Sequence, residues 1–498
     1  MKLLVPHDSR PVSLDLPRKI AAIGADVLRT PPLKWLGDRD RRGSAASVLR
    51  WLHGNAGAGA LFASLDFLLF GGLVFSREPS DPPFRPGEVV EKLRLIKELI
   101  PGLQIHAFKS VLRDSVTVRD AESLRLWKSM AEKGAHPQWF LDMRNRNHGF
   151  DLDLLTAAAA GVFDTLVFAK EDTAPGDPFR RETDELEERA REDALARRVF
   201  VTTGTDETAL LLVARAAGGG NDAPPSFFIH PAGARLESAP AYENQPLAET
   251  IARQARICGC AVTGDAENAS IEIIPHFGSR APEDVFLLQL GGKRRFRTDP
   301  GAAENTLALV ASRLAAGKRV ALLDCAFING GDAALAAQLL KRKMFFSLFS
   351  YAGWNTLANR SGCLIAHCAV LWRALQRAGA AKQRERVLKK HLAFMIERLA
   401  HDCAFSSAAR GRLIQSADPA GNFDDTLQAS RTLTEDLAAE LKKFMEHASG
   451  AVLDSFLPST RFVLNGAAVK RAWFPWNRAF EMDARIESDI TLMSVAPP

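Results

Sequence analysis

The sequence predicts an α/β protein built on a parallel sheet, arranged as a β/α-barrel-like core or, alternatively, as doubly wound sheets. Short apolar segments typical of buried strands alternate with amphipathic segments typical of helices. Several predicted strands end in polar residues, as strands do where functional loops collect at one edge of a parallel sheet. The predicted strands outnumber the eight of one barrel, so we expect an elaboration or a second domain.

The first predicted strands are short apolar runs that end at glycine, proline or charged residues. They lie at 2–6, 26–29, 66–70, 104–108, 166–169 and 199–202. Helices are predicted between them at 16–23, 45–54, 88–100, 121–133 and 179–198. This order indicates crossover connections between parallel strands.

The next predicted elements continue the alternation and then give way to helices. Strands are predicted at 226–230, 270–274, 285–290, 319–323 and 345–351, with a helix at 247–257. Long helices follow at 361–379, 382–401 and 434–448. We therefore predict an α/β catalytic part over residues 1–355. Residues 356–498 form a mostly helical C-terminal region that returns to the core with its last strand.

Composition and charge exclude several classes of protein. Hydrophobic residues make up 47% and charged residues 25% of the chain, which is ordinary for a soluble globular protein. The net charge is only +5 and the basic residues are dispersed, so no nucleic-acid partner is predicted. No apolar run approaches the roughly 18 residues of a membrane span, and no secretory signal is visible. We expect a cytoplasmic protein without a membrane partner, whose six cysteines are reduced thiols.

Two adjacent carboxylates, Glu171 and Asp172, directly follow the predicted strand at 166–169. Two carboxyl groups at a strand end can divide acid and base roles if their surroundings separate their pKa values. The alternative is a polar loop before a helix that is capped by Asp177 and continued by Pro178. The functional interpretation makes Glu171 and Asp172 the candidate catalytic residues.

Other polar residues also follow predicted strands and are candidates for substrate binding. An Asp and an Arg after the first strand can hold a polar substrate through charge-assisted hydrogen bonds, or they can form a cap and a loop ion pair. A Trp beside an Asn suits stacking and hydrogen bonding to a sugar, although the ring can equally be a core residue. Carboxylates before a helix can instead complement its dipole. The candidates are Asp8, Arg10, Arg77, Asn147, Asp206, Glu207, Asp324, Trp354 and Asn355.

Metal and cofactor sites are not predicted. The eleven histidines are scattered without H-x-H or H-E-x-x-H spacing. No G-x-S-x-G nucleophile motif and no phosphate-binding loop occur, and no G-x-G-x-x-G motif follows a strand.

The chain resembles, over almost its whole length, a bacterial family catalogued as domain of unknown function 4127. The blocks that carry the resemblance are LLVPHDSRPV at 3–12, FGGLVFSR at 70–77, RNRN at 144–147, EDTAP at 171–175, TDE at 205–207, YAGWNT at 351–356 and PWNRAFE at 475–481. The family usually has aspartate where this chain has Ser9 and Glu171. The first difference removes a carboxylate, and the second lengthens a carboxylate side chain.

The pair Glu171 and Asp172 is also similar to the adjacent carboxylates of substrate-assisted β-N-acetylhexosaminidases. In those enzymes the acetamido oxygen of the substrate is the nucleophile, the first carboxylate stabilises the acetamido group and the second is the general acid/base. This analogy implies a retaining glycosidase that releases terminal β-linked N-acetylgalactosamine or N-acetylglucosamine without a cofactor. The alternatives are a non-catalytic protein that binds a sugar or another metabolite, and a metal-dependent hydrolase that uses Asp8, Asp206 and Asp324. We expect Asp8, Arg77, Glu171, Asp206 and Trp354 to line one cleft.

Overall fold

The computed structural model describes residues 1–55, 57–174, 176–218, 223–278, 281–293, 296, 299–453, 456 and 460–494. Its first sheet has six strands: β1 (Lys2–Val5), β2 (Leu28–Arg29), β3 (Ala60–Ser64), β4 (Gln104–Val111), β5 (Thr165–Lys170) and β6 (Val199–Thr203). They are hydrogen-bonded in the order β2-β1-β3-β4-β5-β6, and every pair is parallel. The carboxyl ends of these strands therefore meet at one edge.

The second large sheet has five parallel strands in the order β13-β11-β9-β7-β8. Two further pairs are the parallel β10 and β12 and the long antiparallel hairpin β14 and β15. The strands are β7 (Ser226–Ile229), β8 (Ala261–Val262), β9 (Ile271–His276), β10 (Glu283–Asp284), β11 (Val320–Asp324), β12 (Phe327–Ile328), β13 (Ser350–Ala352), β14 (Thr460–Trp473) and β15 (Asp483–Ser494).

Both large sheets follow the same topological rule. In each, the second strand along the chain lies outside the first, and the later strands add in sequence on the opposite side. This is a doubly wound order, in which the crevice between the first and third strands is a usual place for a ligand. The predicted α/β class with a parallel core is confirmed. The described strands form open sheets and no closed barrel, so the doubly wound alternative describes them better than the barrel.

Helices fill the connections between the strands. They are α1 (Pro11–Ile23), α2 (Ala45–His53), α3 (Leu65–Phe70), α4 (Leu73–Ser76), α5 (Pro86–Leu99), α6 (Ala121–Lys133), α7 (Gln138–Ala159), α8 (Arg180–Glu192), α9 (Thr208–Ala217), α10 (Leu247–Ile257), α11 (Val285–Leu290), α12 (Pro300–Ala315), α13 (Ala333–Lys341), α14 (Leu357–Arg377), α15 (Ala381–Leu399), α16 (Arg410–Leu413) and α17 (Thr426–Met445). A π-helical segment, Ala400–Ala409, joins α15 to α16. None of the helices in the described ranges is long and apolar enough to span a bilayer.

Two of the predicted strands, at 66–70 and 285–290, are wrong, and the one predicted at 345–351 is only partly right, because it begins with a 3-10 turn at Phe345–Ser347 and only its end belongs to β13. The segments at 66–70 and 285–290 are short helices, α3 and α11, and each begins at a side-chain cap. The Ser64 hydroxyl accepts a hydrogen bond from the Phe67 backbone N–H, and Asp284 caps α11 in the same way. All six side chains of α3 are buried, and a short apolar run of this kind has no periodicity that separates a strand from a helix. The strand of this region, β3, ends at the capping serine, Ser64.

The chain forms two compact units, and each contains one of the large sheets. The first unit comprises Met1–Ala21, Asp26–Ala216 and Glu237–Ile257, and the second comprises Ala22–Ala25, Ala217–Leu236 and Cys258–Pro498. The boundary predicted at residue 355 marks where long helices replace the alternation of strands and helices. It is a different kind of division from these two units, and it stays a prediction.

Candidate functional site

Charged side chains gather at the carboxyl edge of the first sheet. Asp8 and Arg10 follow β1, Glu171 and Asp172 follow β5, and Asp206 follows β6. Because β1, β5 and β6 are parallel, these residues emerge on the same edge although up to about 200 positions separate them in the chain. The structure places these groups at the same edge of the first sheet, and their role as a shared site stays a prediction.

Arg10 joins two of the carboxylates. Its Nε lies 2.9 Å from Asp8 Oδ2, and its Nη2 lies 2.8 Å from Asp206 Oδ1. A further bond of 3.3 Å runs from Nη1 to Asp206 Oδ2, so the contact with Asp206 is bidentate. The arginine therefore ties the end of β1 to the end of β6.

Arg77 holds Glu171 from the position directly after α4. Gly71 and Gly72 turn the chain from α3 into α4. Their φ angles are 79° and 144°, which residues other than glycine rarely adopt. This turn places Arg77 so that its Nε lies 3.0 Å from Glu171 Oε2 and its Nη2 lies 2.5 Å from Oε1. The side chain of Glu171 is only 2% exposed and that of Arg77 13%, so the ion pair is nearly buried.

The pKa values of the two adjacent carboxyl groups are shifted in opposite directions. Burial alone would raise the pKa of Glu171, but the charge and hydrogen bonds of Arg77, helped by Arg113, lower that pKa to about 2. Burial raises the pKa of Asp172; Arg113 lowers it, and the charges of Glu171 and Asp206 raise it. The Asp172 side chain is 53% exposed, so water reduces the size of its shift.

Arg113 is a site residue that the sequence did not reveal. It follows β4, its backbone N–H donates to Glu171 Oε2 at 3.2 Å, and its guanidinium lies 3.9 Å from Asp172 Oδ2. Thr117 Oγ1 accepts hydrogen bonds from both Arg113 and Arg77, at 3.2 and 3.3 Å. The one available signal was an arginine directly after a strand, in the same type of position as Arg10.

Five of the predicted substrate-binding residues are buried, and Glu207 and Asn147 are two of them. Gln254 donates to Glu207 at 2.9 Å, and burial raises the pKa of this carboxyl well above its ordinary value. Asn147 on α7 donates to the Ser76 carbonyl at 2.8 Å, one residue before Arg77. Both side chains make internal contacts at the edge, and their binding of a substrate stays a prediction.

A buried ionic cluster lies beside this edge and was also missed. Lys109 Nζ lies 3.4 Å from Asp66 Oδ1 and 3.2 Å from Asp151 Oδ1, and all three side chains are at most 2% exposed. His7 Nδ1 lies 3.5 Å from Asp66 Oδ2, and the Ser110 N–H donates to the same oxygen at 2.8 Å. Burial raises the pKa of Asp151 to about 6, because the charge and hydrogen bond of Lys109 offset only part of the effect of burial.

In the second unit, Asp324 lies at the end of β11 inside a closed polar network. Its Oδ2 accepts hydrogen bonds from the Tyr351 hydroxyl at 2.8 Å and the Asp332 backbone at 2.6 Å. The loop that reaches Asp332 passes Gly331, whose N–H donates to the Asp402 carbonyl at 2.7 Å. Burial raises the pKa values of Asp324 and Asp402.

Trp354 and Asn355 follow β13 in the second unit. The Trp354 ring is partly buried and lies 5.9 Å from the ring of Phe480. Asn355 is buried, adopts a φ of 73°, and its carbonyl accepts a hydrogen bond of 2.9 Å from Arg360. These contacts are within the second unit, so a cleft shared by Trp354 and Glu171 stays a prediction.

No group of three or more His, Cys, Asp or Glu side chains able to hold a metal ion occurs in the part of the chain that the structure describes. Asp8 and Asp206, two of the three carboxylates of the metal-dependent interpretation, are bridged by Arg10. Asp324, the third, belongs to the other compact unit.

The fold and this edge define an α/β protein with two open parallel sheets and a charged, carboxylate-rich site on the first. A family model described as protein of unknown function (DUF4127) matches residues 2–139 and 133–485, so the chain belongs to this family. No curated protein and no solved structure matches the chain. The block at 171–175 spans the two adjacent carboxylates, and only its Pro175 lies outside the described residues.

Proposed function

We propose that the carboxyl edge of the first sheet is the active site of a glycoside hydrolase that releases terminal β-linked N-acetylhexosamine with retention. The observation that carries this proposal is the contrast between Glu171, which is buried against Arg77, and Asp172, which is half exposed, and the pKa values of the two groups are shifted in opposite directions. Neighbouring carboxyl groups with separated pKa values are the usual sign of divided acid and base roles. Asp172, which water reaches, is the general acid/base, and Glu171 remains ionised.

The first chemical step needs a proton on the leaving oxygen and a nucleophile at the anomeric carbon. Asp172 supplies the proton and later accepts one from water, while the acetamido oxygen of the substrate attacks the anomeric carbon. Arg10, Asp8 and Asp206 form an adjacent surface of donors and acceptors suited to sugar hydroxyls.

Glu171 suits the positive charge that develops as the acetamido group cyclises, because its carboxyl stays ionised down to about pH 2. Both of its oxygens already accept hydrogen bonds from Arg77. Arg77 keeps Glu171 ionised, so the arginine must stay in place, and we expect the acetamido N–H to share a carboxylate oxygen with it, because each oxygen can accept more than one hydrogen bond.

A panel of aryl β-glycosides tests the proposal. It contains N-acetylgalactosaminides, N-acetylglucosaminides and the matching hexosides that lack the acetamido group. We expect turnover only of the N-acetylated substrates, loss of that turnover in Asp172→Asn, and inhibition by a thiazoline mimic of the cyclised intermediate. Efficient hydrolysis of the plain hexosides would exclude substrate assistance. Sugar binding without turnover of any glycoside would identify the alternative, a carbohydrate-binding protein.

A further inference from the structure

We propose that Arg144, a buried residue of α7, is the positioning residue for the Glu171–Asp172 pair and acts through the segment 112–117 that leaves β4. The inference deepens the proposed function and rests on it where activity is concerned. Arg144 does not touch the carboxylates. It fixes the backbone from which Arg113 does so.

Arg144 grips the start of this segment with both ends of its guanidinium. Nη1 donates to the Arg113 carbonyl at 2.7 Å, and Nη2 donates to the Leu112 carbonyl at 2.9 Å. The Arg144 side chain is 1% exposed, so water does not compete for the atoms that form these two hydrogen bonds. Two consecutive carbonyls held by one rigid group fix the direction in which the chain leaves β4.

The guanidinium is itself held from the opposite side. Glu182 on α8 accepts two hydrogen bonds of 2.8 Å from Arg144 Nε and Nη2, and the Phe179 ring lies 3.7 Å from Arg144 Cζ. A bidentate carboxylate and a stacked ring leave the group little freedom. Lysine has neither the planar fork nor enough donors to reproduce all of these contacts.

The fixed segment delivers three groups to the candidate site. The Arg113 N–H bonds Glu171, the Arg113 guanidinium faces Asp172, and Thr117 Oγ1 receives hydrogen bonds from Arg113 and Arg77. Movement of the segment would withdraw positive charge from both carboxyl groups at once. The pKa values of Glu171 and Asp172 would then both rise, because Arg113 lowers each of them.

Arg144→Lys tests the inference, with Arg189→Lys as the matched control, because Arg189 is half exposed and forms an exposed ion pair with Glu185 of its own helix, α8. In hydrogen–deuterium exchange, we expect Arg144→Lys to speed exchange of the amides in 112–117 by about tenfold or more, and the control to leave it unchanged. If exchange in this segment is the same in both variants, Arg144 does not position it.

The second measurement is the pH profile of kcat/KM on the best N-acetylhexosaminide. We expect both limbs of the Arg144→Lys profile to move to higher pH, with a loss of about tenfold at the wild-type optimum. A uniform loss without movement of the limbs would reduce Arg144 to a structural residue and overturn the inference.

A third measurement keeps the test independent of turnover. The free energy of unfolding is measured between pH 2 and 5 for wild type, Arg144→Lys, Glu171→Gln and the double variant. The pH dependence that Glu171→Gln removes gives the pKa of Glu171, both with Arg144 and with Lys at position 144. If no glycoside is cleaved, the proposed function fails, and the positioning role still stands if Arg144→Lys raises this pKa. An unchanged pKa overturns it.

Discussion

The carboxyl groups of Glu171 and Asp172 are consecutive in the chain, yet the Glu171 side chain is 2% exposed and the Asp172 side chain 53%. Arg77 takes up the first carboxylate with two donors, whereas the nearest cation to the second is Arg113 at 3.9 Å. A strand end turns successive side chains in different directions, so a single step along the chain separates a locked anion from a titrating acid.

Removal of the titrating proton of Asp172 gives the first prediction. Asp172→Asn keeps the shape of the side chain, and we expect turnover of glycosides with poor leaving groups to fall by about 10²–10⁴-fold. Substrates with activated leaving groups need little protonation and should lose much less. Kinetics with a series of aryl N-acetylhexosaminides measure how the loss of turnover depends on the pKa of the leaving group. An equal loss for every leaving group would speak against Asp172 as the acid.

The second prediction concerns stability in acid. Glu171→Gln leaves Arg77 without its charge partner, and we expect a loss at neutral pH near the lower end of about 3–5 kcal/mol, because Arg77 retains some exposure. The pKa of Glu171 is about 2 when folded and near 4.5 when unfolded, so its contribution is complete above about pH 4.5 and disappears towards pH 2. Urea denaturation at several pH values should show the two proteins converging over this interval.

The third prediction concerns the buried cluster around Lys109, where stability should fall as the pH rises, the opposite of the pH dependence at Glu171. The pKa of Asp151 is raised from 3.8 to about 6 in the folded protein, so the folded state binds the additional proton and stability falls as the pH rises between these values. Asp151→Asn removes this titration and leaves Lys109 paired with Asp66. We expect the variant to gain stability relative to wild type from about pH 4 to pH 6 and then remain level. A pH-independent difference in unfolding free energy would contradict the assignment.

The fourth prediction tests the closed network of the second unit. A Cβ at Gly331 would lie 2.5 Å from the Tyr351 hydroxyl and 3.1 Å from Cys403 Sγ, so Gly331→Ala must displace the hydroxyl that donates to Asp324. We expect a destabilisation of about 1–3 kcal/mol in chemical denaturation. Gly379→Ala is the control, because no atom lies within 4 Å of its Cβ position. Equal effects of the two substitutions would mean that the close contact is not what makes glycine necessary.

Much of the fold was predictable from the sequence because buried parallel strands are short apolar runs between turn residues. The strands at 104–108, 166–169 and 199–202 fall within β4, β5 and β6. The helices α3 and α11 were not predictable, because a six-residue, mostly apolar run is too short to show a helical period and fits a buried strand equally well. The hairpin of β14 and β15 was missed because its mixed exposure gives a weak alternation.

The candidate site was predictable where its residues follow strand ends directly. Asp8, Arg10, Glu171, Asp172 and Asp206 all do so. Arg144 and Lys109 act through partners that are distant in sequence, Glu182 and Asp151 among them, and a single sequence carries no sign of such pairs. The pKa values that distinguish Glu171 from Asp172 likewise depend on Arg77, which lies 94 positions from Glu171.

The interleaved segments of the two units have a consequence for synthesis of the chain. Helix α10 belongs to the first unit, where Arg253 Nη1 donates to the Val201 carbonyl of β6 at 3.0 Å, yet it follows β7 of the second unit. On the ribosome, the six strands of the first sheet emerge well before the helix that buries Leu247 and Ile251 beside β6. Once residues up to about 217 have emerged, the nascent chain carries all six strands of the first sheet without α10, and this apolar surface stays uncovered until about 40 more residues have emerged.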